Sequence, residues 1–437
     1  MAQSKAIIRC HANDPEVLLC TQGTRGDIAP FLALVTMLKA RGRTVTVLTN
    51  DNWRDMVVAA GADFLSSGPA DPEQSGRNDW EFFHTYVLPS FRRTFNAVAA
   101  MMAAGRRPSV LFRSSMVGVA AAAERFDLTA GCVFLQPSAV ISRARPPWPL
   151  TPFVSGRFGG VGRTVGLSLA FAMARRLNPF AKSVNTFRTS VGLPKRAKFA
   201  SPPATFSLMA CPDWFAMPQV DWPEHCYVTG FLFSPSVVPL PVDIAAFIKR
   251  HGPPLVFTPG TGVSALSEFV IRARETSLAL GLPAVVLSPT AAPVKGEIGS
   301  EDPPMFFSDF VDLAALLPQS RALIHHGGIG TSAQAMRAGV PQLVVPDRFD
   351  QPDNAVRVAG LGLGAAMLRQ HSSAKHWIAA MREIFGSQHI RQQLITAAGL
   401  LEPLDGVGRA LAVMECFEHK ACLLAYEAGR GESARPA

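Results

Sequence analysis

The chain has 437 residues, of which 48% are hydrophobic and 17% charged, and its formal net charge is +9. That length exceeds one ordinary core and predicts two domains of roughly 200 residues each, while the composition excludes a disordered or fibrous chain. Seven scattered cysteines without a CxxC pair exclude a disulfide framework and a structural zinc site, and the lack of a signal pattern or an apolar run of about 20 residues leads to the expectation of a cytoplasmic protein.

The charge is uneven. Between Asp127 and Asp213 no acidic residue occurs, while eleven basic ones do: Arg143, Arg145, Arg157, Arg163, Arg175, Arg176, Lys182, Arg188, Lys195, Arg196 and Lys198. Inside this segment "TVGLSLAFAMARRLNPF" has the apolar run and double arginine of an amphipathic surface helix. The expected partner is an anionic membrane face or an anionic substrate; a solvated helix beside a loop is the alternative. Nucleic acid is not expected, because no RNA- or DNA-binding motif accompanies the charge.

In chain order, "EVLLCTQG" reads as a buried strand, "APFLALVTMLKARG" as a helix and "TVTVLTN" as a second strand, which together make a βαβ unit. "SVLFRSS", "GVAAAAERF" and "AGCVFLQPS" continue the alternation of a doubly wound parallel sheet. The proline-rich "FLFSPSVVPLPVDI" reads as a linker. A second set follows: the strand in "PPLVFTPGTG", the helix "SALSEFVIRARETSLALG", then "PAVVLSP", "RALIHHGG" and "PQLVVP". The expected organisation is α/β throughout, with a first domain over residues 1–235, a linker at 236–252, a second domain at 253–415, and a helical segment and tail at 416–437.

Ligands of open parallel sheets bind at the carboxyl ends of strands, so three glycine turns are candidate sites: "TQGTRGDIAP", "TPGTG" and "HHGGIGTSA". Each precedes a helix-like run whose first N–H groups can hold an anion. The third turn also matches GxGxxA from Gly328 to Ala333, with Asp347 beyond the next strand, which allows a dinucleotide reading. Its depth in the second half, the preceding His325 and His326, and the hydroxyl-matching "DQPDN" tell against NAD. No HExxH, Cys/His cluster or GxSxG elbow appears, so neither metal hydrolysis nor serine catalysis is expected.

"HHGGIGT" with "AGVPQLVVPDRFDQPDNAVRV" resembles the donor signature of family-one glycosyltransferases of the GT-B fold, and "QGTRGDIAPFLAL" resembles their N-terminal opening. "DWPEHCYVTGF", "PPLVFTPGTG" and "ALLPQSRALIHHGG" are similar in particular to the rhamnosyltransferases of bacterial rhamnolipid synthesis. The resemblance implies two Rossmann-like domains facing a cleft, the first (1–235) binding the acceptor and the second (253–415) the donor, and an inverting transfer of a hexosyl or deoxyhexosyl group from a UDP- or dTDP-sugar to a hydrophobic hydroxyl acceptor, without metal or other cofactor. It assigns the diphosphate to His326, Gly328, Gly330 and Thr331, with Thr258, Gly260 and Thr261 closing over it. Asp350 and Gln351 would hold the sugar, and the nucleobase would lie near Val311. Many members of the family carry a histidine base in the first glycine turn; this chain has Asp27 there, either as the base or only as a helix cap. Trp148 and Phe153 are candidates for the acceptor pocket. The fold class alone also allows a sugar-nucleotide epimerase or an NAD-binding oxidoreductase.

Overall fold

The structure is a computed structural model and describes residues 15–69, 79–140, 142, 144–145, 179–196, 201–235, 237–260, 266–288, 296–298, 303–368 and 372–419. The first sheet holds β1 (Val17–Cys20), β2 (Val45–Thr49), β3 (Asp63–Ser66), β4 (Ser109–Arg113), β5 (Ala130–Phe134), β6 (Phe206–Met209) and β7 (Cys226–Val228). Their order is β3-β2-β1-β4-β5-β6-β7, and every pair is parallel. The chain reverses direction between β1 and β4, the switch point where such sheets open a crevice. β1, β2 and β5 are buried at every residue, as strands covered on both faces must be.

The second sheet repeats the plan with β8 (Leu255–Thr258), β9 (Ala284–Leu287), β10 (Gly296–Ile298), β11 (Met305–Ser308), β12 (Ala322–His325), β13 (Gln342–Val344) and β14 (Gly364–Ala366), in the order β10-β11-β9-β8-β12-β13-β14. All its pairs are parallel except β10 with β11, an antiparallel edge that the expected all-parallel sheet did not include. Its switch point falls between β8 and β12.

Helix α1 (Arg25–Ala40) buries Ile28, Phe31, Leu34, Val35 and Leu38, a helical stripe, against the first sheet. The expected linker contains more than loop. Helix α2 (Val242–His251) begins after Pro241 and buries Ile244, Phe247 and Ile248, at i, i+3 and i+4, beside Val256 and Val285 of the second sheet. Near the end of the chain, α3 (Gly406–Glu418) starts on an Asp405 cap, whose Oδ1 accepts from Gly408 N at 2.8 Å, and crosses the expected 415/416 boundary. It lies on the first domain. Phe417 stacks on Phe206 at 4.6 Å between centroids, Arg41 pairs with Glu415, and Arg43 pairs with the buried Glu418 at 2.9 Å.

The second core is organised around Trp377, which is fully buried and stacks near Phe257 at 6.3 Å and edge-on to Phe269 at 5.3 Å. Its Nε1 donates to Ser372 Oγ at 2.7 Å, so the indole's one polar group is satisfied. Trp377→Ala is expected to cost about 3–5 kcal/mol, read as a fall in the denaturant midpoint of the second domain's unfolding.

Among the described residues, no helix is long and apolar enough to cross a membrane.

Candidate active site

The first glycine turn leaves β1 at Thr21 and enters α1 at Arg25. Gly23 has φ +123°, and a Cβ there would sit 2.3 Å from Asp27 Oδ2, so the turn closes only around a glycine. Thr24 N–H donates to Asp27 Oδ2 at 2.8 Å, which makes Asp27 a cap of its own helix. Its other oxygen is held too: Arg113 Nη2, at the end of β4, lies 2.8 Å from Oδ1. The candidate base is therefore a fixed, half-buried carboxylate at the first sheet's switch point.

In the second domain, β12 ends in His325, and the two histidines part company. His325 is fully buried; its Nδ1 accepts from Gly327 N–H at 3.1 Å, so Nε2 carries the proton and donates to Gln342 Oε1 at 3.0 Å. Burial, with His326 beside it, pushes its imidazole down to about 3. It is a core histidine committed to the fold: of the two histidines that tell against a dinucleotide in the sequence, this one has both ring nitrogens engaged and cannot donate to a phosphate.

The His326 ring lies between two glycines. A Cβ on Gly260 would come within 2.9 Å of its Cε1 and Nδ1, and a Cβ on Gly328 within 2.7 Å of Nε2. Gly260 also has φ +83°, a conformation that side chains disfavour. His326 Nδ1 is shielded from solvent and has no hydrogen-bond partner. Burial pushes this imidazole down to about 4, against the opposing pull of the Thr258 backbone and the Asp347 charge. The helix Ile329–Arg337, which follows His326, starts at the Gly328 cap; Gly330 is exposed with open space where a Cβ would stand, and Thr331 is half-buried.

Because the His326 proton is lost near pH 4, the ring is neutral from pH 5 to 8. A diphosphate against the ring raises that value in the complex, so any histidine step in donor affinity between pH 8 and 5 should be a strengthening as pH falls, never a weakening. Calorimetric titration across the range checks this.

The turn after β13 supplies the remaining groups. Gln351 Oε1 accepts from the backbone N–H of Asp347 at 2.9 Å and of Arg348 at 3.2 Å, which leaves its NH2 as the group available to a ligand. Asn354 Nδ2 donates to Asp350 Oδ2 at 2.7 Å and to Gly327 O at 2.9 Å, so one buried amide ties the acid to the histidine turn. Burial raises the Asp350 carboxyl, opposed by the Asn354 bond; Asp27 raises it further across the cleft and Arg113 lowers it. Val311 is only 2% exposed and packs with Leu316 and Leu317, so its side chain is part of the core and only its backbone could meet a base. Its neighbour Phe310 is exposed at 48%, and the Arg25 guanidinium of the first domain lies 3.4 Å from its ring centroid. Thr258 ends β8 beside the His326 ring. Thr261, Trp148 and Phe153 lie outside the described residues, as do Arg143, Arg157, Arg163, Arg175, Arg176 and Lys198 of the basic segment.

The structure thus brings Asp27 within electrostatic reach of Asp350, and seats His326 between Gly260 and Gly328. Three neighbouring residues carry no assignment from the sequence. Arg113 ends a strand beside the switch point, a position that would have marked it; Asn354 stands inside the quoted "DQPDN"; Arg25 stands inside "GTRGD" but finds its partner, Phe310, only in the fold. Among the described residues, no group of three or more His, Cys, Asp or Glu could hold a metal ion.

Comparison with known proteins defines the class. Residues 276–398 match the family model described as "Erythromycin biosynthesis protein CIII-like, C-terminal domain". The chain is 28% identical over 386 residues to O-mycaminosyltylonolide 6-deoxyallosyltransferase of Streptomyces fradiae, covering 80% of this chain and 84% of the relative. The solved glycotransferase of kitacinnamycin superposes with a TM-score of 0.70 at 17% identity, over 93% of this chain and 99% of its own. Glycosyltransferase VinC, solved in complex with DTDP, gives 0.65 at 17% identity, over 93% of this chain and all of its own. The two-sheet architecture is the GT-B fold. With it the protein is an enzyme, a glycosyltransferase.

Proposed function

We propose that the protein is an inverting glycosyltransferase that moves a hexosyl or deoxyhexosyl group from a UDP- or dTDP-sugar to a hydroxyl of a hydrophobic acceptor. The observation that carries this reading is His326: a neutral imidazole with a shielded, unpartnered Nδ1, seated between two glycines at a helix start, where a diphosphate oxygen would satisfy it.

On this reading the donor lies on the second domain. His326, Gly328, Gly330 and Thr331 face the diphosphate, with Thr258, Gly260 and Thr261 on its other side, and the backbone beside Val311 meets the base. Asp350 and the Gln351 NH2 hold sugar hydroxyls. The acceptor lies on the first domain, with Trp148 and Phe153 in its pocket. Asp27 takes the proton of the acceptor hydroxyl while that oxygen attacks the anomeric carbon. The bond to the diphosphate breaks on the opposite face, and the nucleoside diphosphate leaves with the electron pair, its growing charge met by the helix start and His326. No step calls for a metal.

The donor class gains support from VinC, which holds DTDP, and the acceptor class from the Streptomyces relative, whose named acceptor is O-mycaminosyltylonolide. The rhamnosyl group and a hydroxyacyl lipid acceptor rest on sequence motifs alone, as does contact of the basic segment with an anionic membrane face in the cytoplasm. The test is mass-spectrometric turnover of a panel of UDP- and dTDP-sugars against macrolide aglycones and hydroxyacyl lipids. One glycosylated product of inverted configuration supports the reading. Donor consumption without an acceptor product, giving only an epimerised sugar nucleotide, would replace it with the epimerase reading.

A further inference from the structure

We propose that Arg113 is the positioning residue for the base, a role that rests on the assignment of Asp27 above. Arg113 is the last residue of β4, beside the turn that leaves β1 at Thr21. Its two terminal nitrogens straddle that turn: Nη1 donates to Gln22 O at 2.9 Å, on the near side of Gly23, and Nη2 to Asp27 Oδ1 at 2.8 Å, on the far side. One guanidinium therefore joins the strand end to the first turn of α1. Gly23 fits this arrangement, because a Cβ there would strike Asp27 Oδ2 at 2.3 Å and approach Arg113 Nη1 to 3.4 Å.

The pair is neither a surface ornament nor a core ion pair, since the side chains are 21% and 17% exposed. An exposed pair would contribute little, and a sealed one could not reach an acceptor. With Thr24 N–H and Thr24 Oγ1 donating to Oδ2 at 2.8 and 3.1 Å and Arg113 on Oδ1, the carboxylate is fixed in position, and Oδ1 keeps a lone-pair site for the acceptor proton. Arg113 has a second effect across the cleft. The Asp350 carboxyl feels Asp27 as a repulsion and Arg113 as an attraction, so the guanidinium offsets the effect of one carboxylate on the other.

The test uses the full chain with the donor and acceptor pair that gives turnover, and compares wild type, Arg113→Met, Arg113→Lys, Asp27→Asn and the Asp27→Asn/Arg113→Met double variant. Misplacement of a reacting group by about 1 Å costs roughly 100-fold, so kcat should fall by about that factor in Arg113→Met, with donor KM within about twofold. Arg113→Lys should recover part of the rate, and added guanidinium ion should recover part of it in Arg113→Met. The double variant should be no slower than Asp27→Asn, because an arginine acting through Asp27 has nothing left to position. A wild-type kcat in Arg113→Met, or an equal loss on the Asp27→Asn background, overturns the inference. Should Arg113→Met fail to fold, an Arg113→Lys variant that folds yet turns over no better than Asp27→Asn, with donor KM raised in proportion, does the same. If Asp27→Asn keeps the wild-type rate, the base assignment itself fails and this inference falls with it; if Asp27→Asn is inactive and Arg113→Met is not, only the inference fails.

Discussion

Replacing Asp27 by asparagine should lower kcat by about 10²–10⁴-fold, the usual contribution of a positioned general base, while donor affinity stays within about twofold. The separation of the two effects follows from geometry. Asp27 is at the start of α1 in the first domain, whereas the proposed donor groups are in the second. Asparagine keeps an oxygen to accept from Thr24 N–H, so the helix start survives and a large loss of stability is not expected. What it loses is the charge that takes the proton and the partner of Arg113. Steady-state kinetics with donor titration by calorimetry separates the outcomes. An Asp27→Asn enzyme that turns over normally would mean that the carboxylate is only a helix cap.

His326→Ala should act on the other half of the reaction. Loss of one donor to developing negative charge typically costs about 10²–10³ in kcat, and here donor affinity should fall as well, because the imidazole fills the space between Gly260 and Gly328. Gly260→Ala provides a finer probe of the same place. It adds a single methyl, yet forces a side chain into φ +83° and against the imidazole at 2.9 Å. Its donor KM should rise while its kcat stays closer to wild type than that of His326→Ala. Equal turnover in His326→Ala and wild type would remove His326 from the reaction.

The two-sheet architecture was legible because its central strands are continuous apolar runs: "VLLC", "VTVLT", "LVFT" and "ALIH". The edges were not. β3 has no buried residue and runs exposed, half-buried, half-buried, exposed, without alternation, and β10 and β14 span three residues each, too short for a periodicity to register. Proline masked the start of α2, because a proline-rich approach reads as loop until the burial of Ile244, Phe247 and Ile248 is seen.

The site divides along similar lines. The glycine turns could be read from spacing, since a turn and a helix start are local features, whereas the choice of His326 came from the family resemblance. What spacing could not tell was that His325 faces inward to Gln342, because that bond joins neighbouring strands 17 residues apart. Nor could it show the Arg113 bridge to Asp27, 86 positions away, which the pairing of β1 with β4 creates.

The central claim is that the turn following β12 holds the diphosphate of an activated sugar. A crystal structure of the protein with dTDP or UDP tests it most directly. Diphosphate oxygens should lie against His326 Nδ1 and the N–H groups from Gly328 to Thr331, with the base beside the Val311 backbone. A nucleotide bound elsewhere, with His326 still unpartnered, would contradict it.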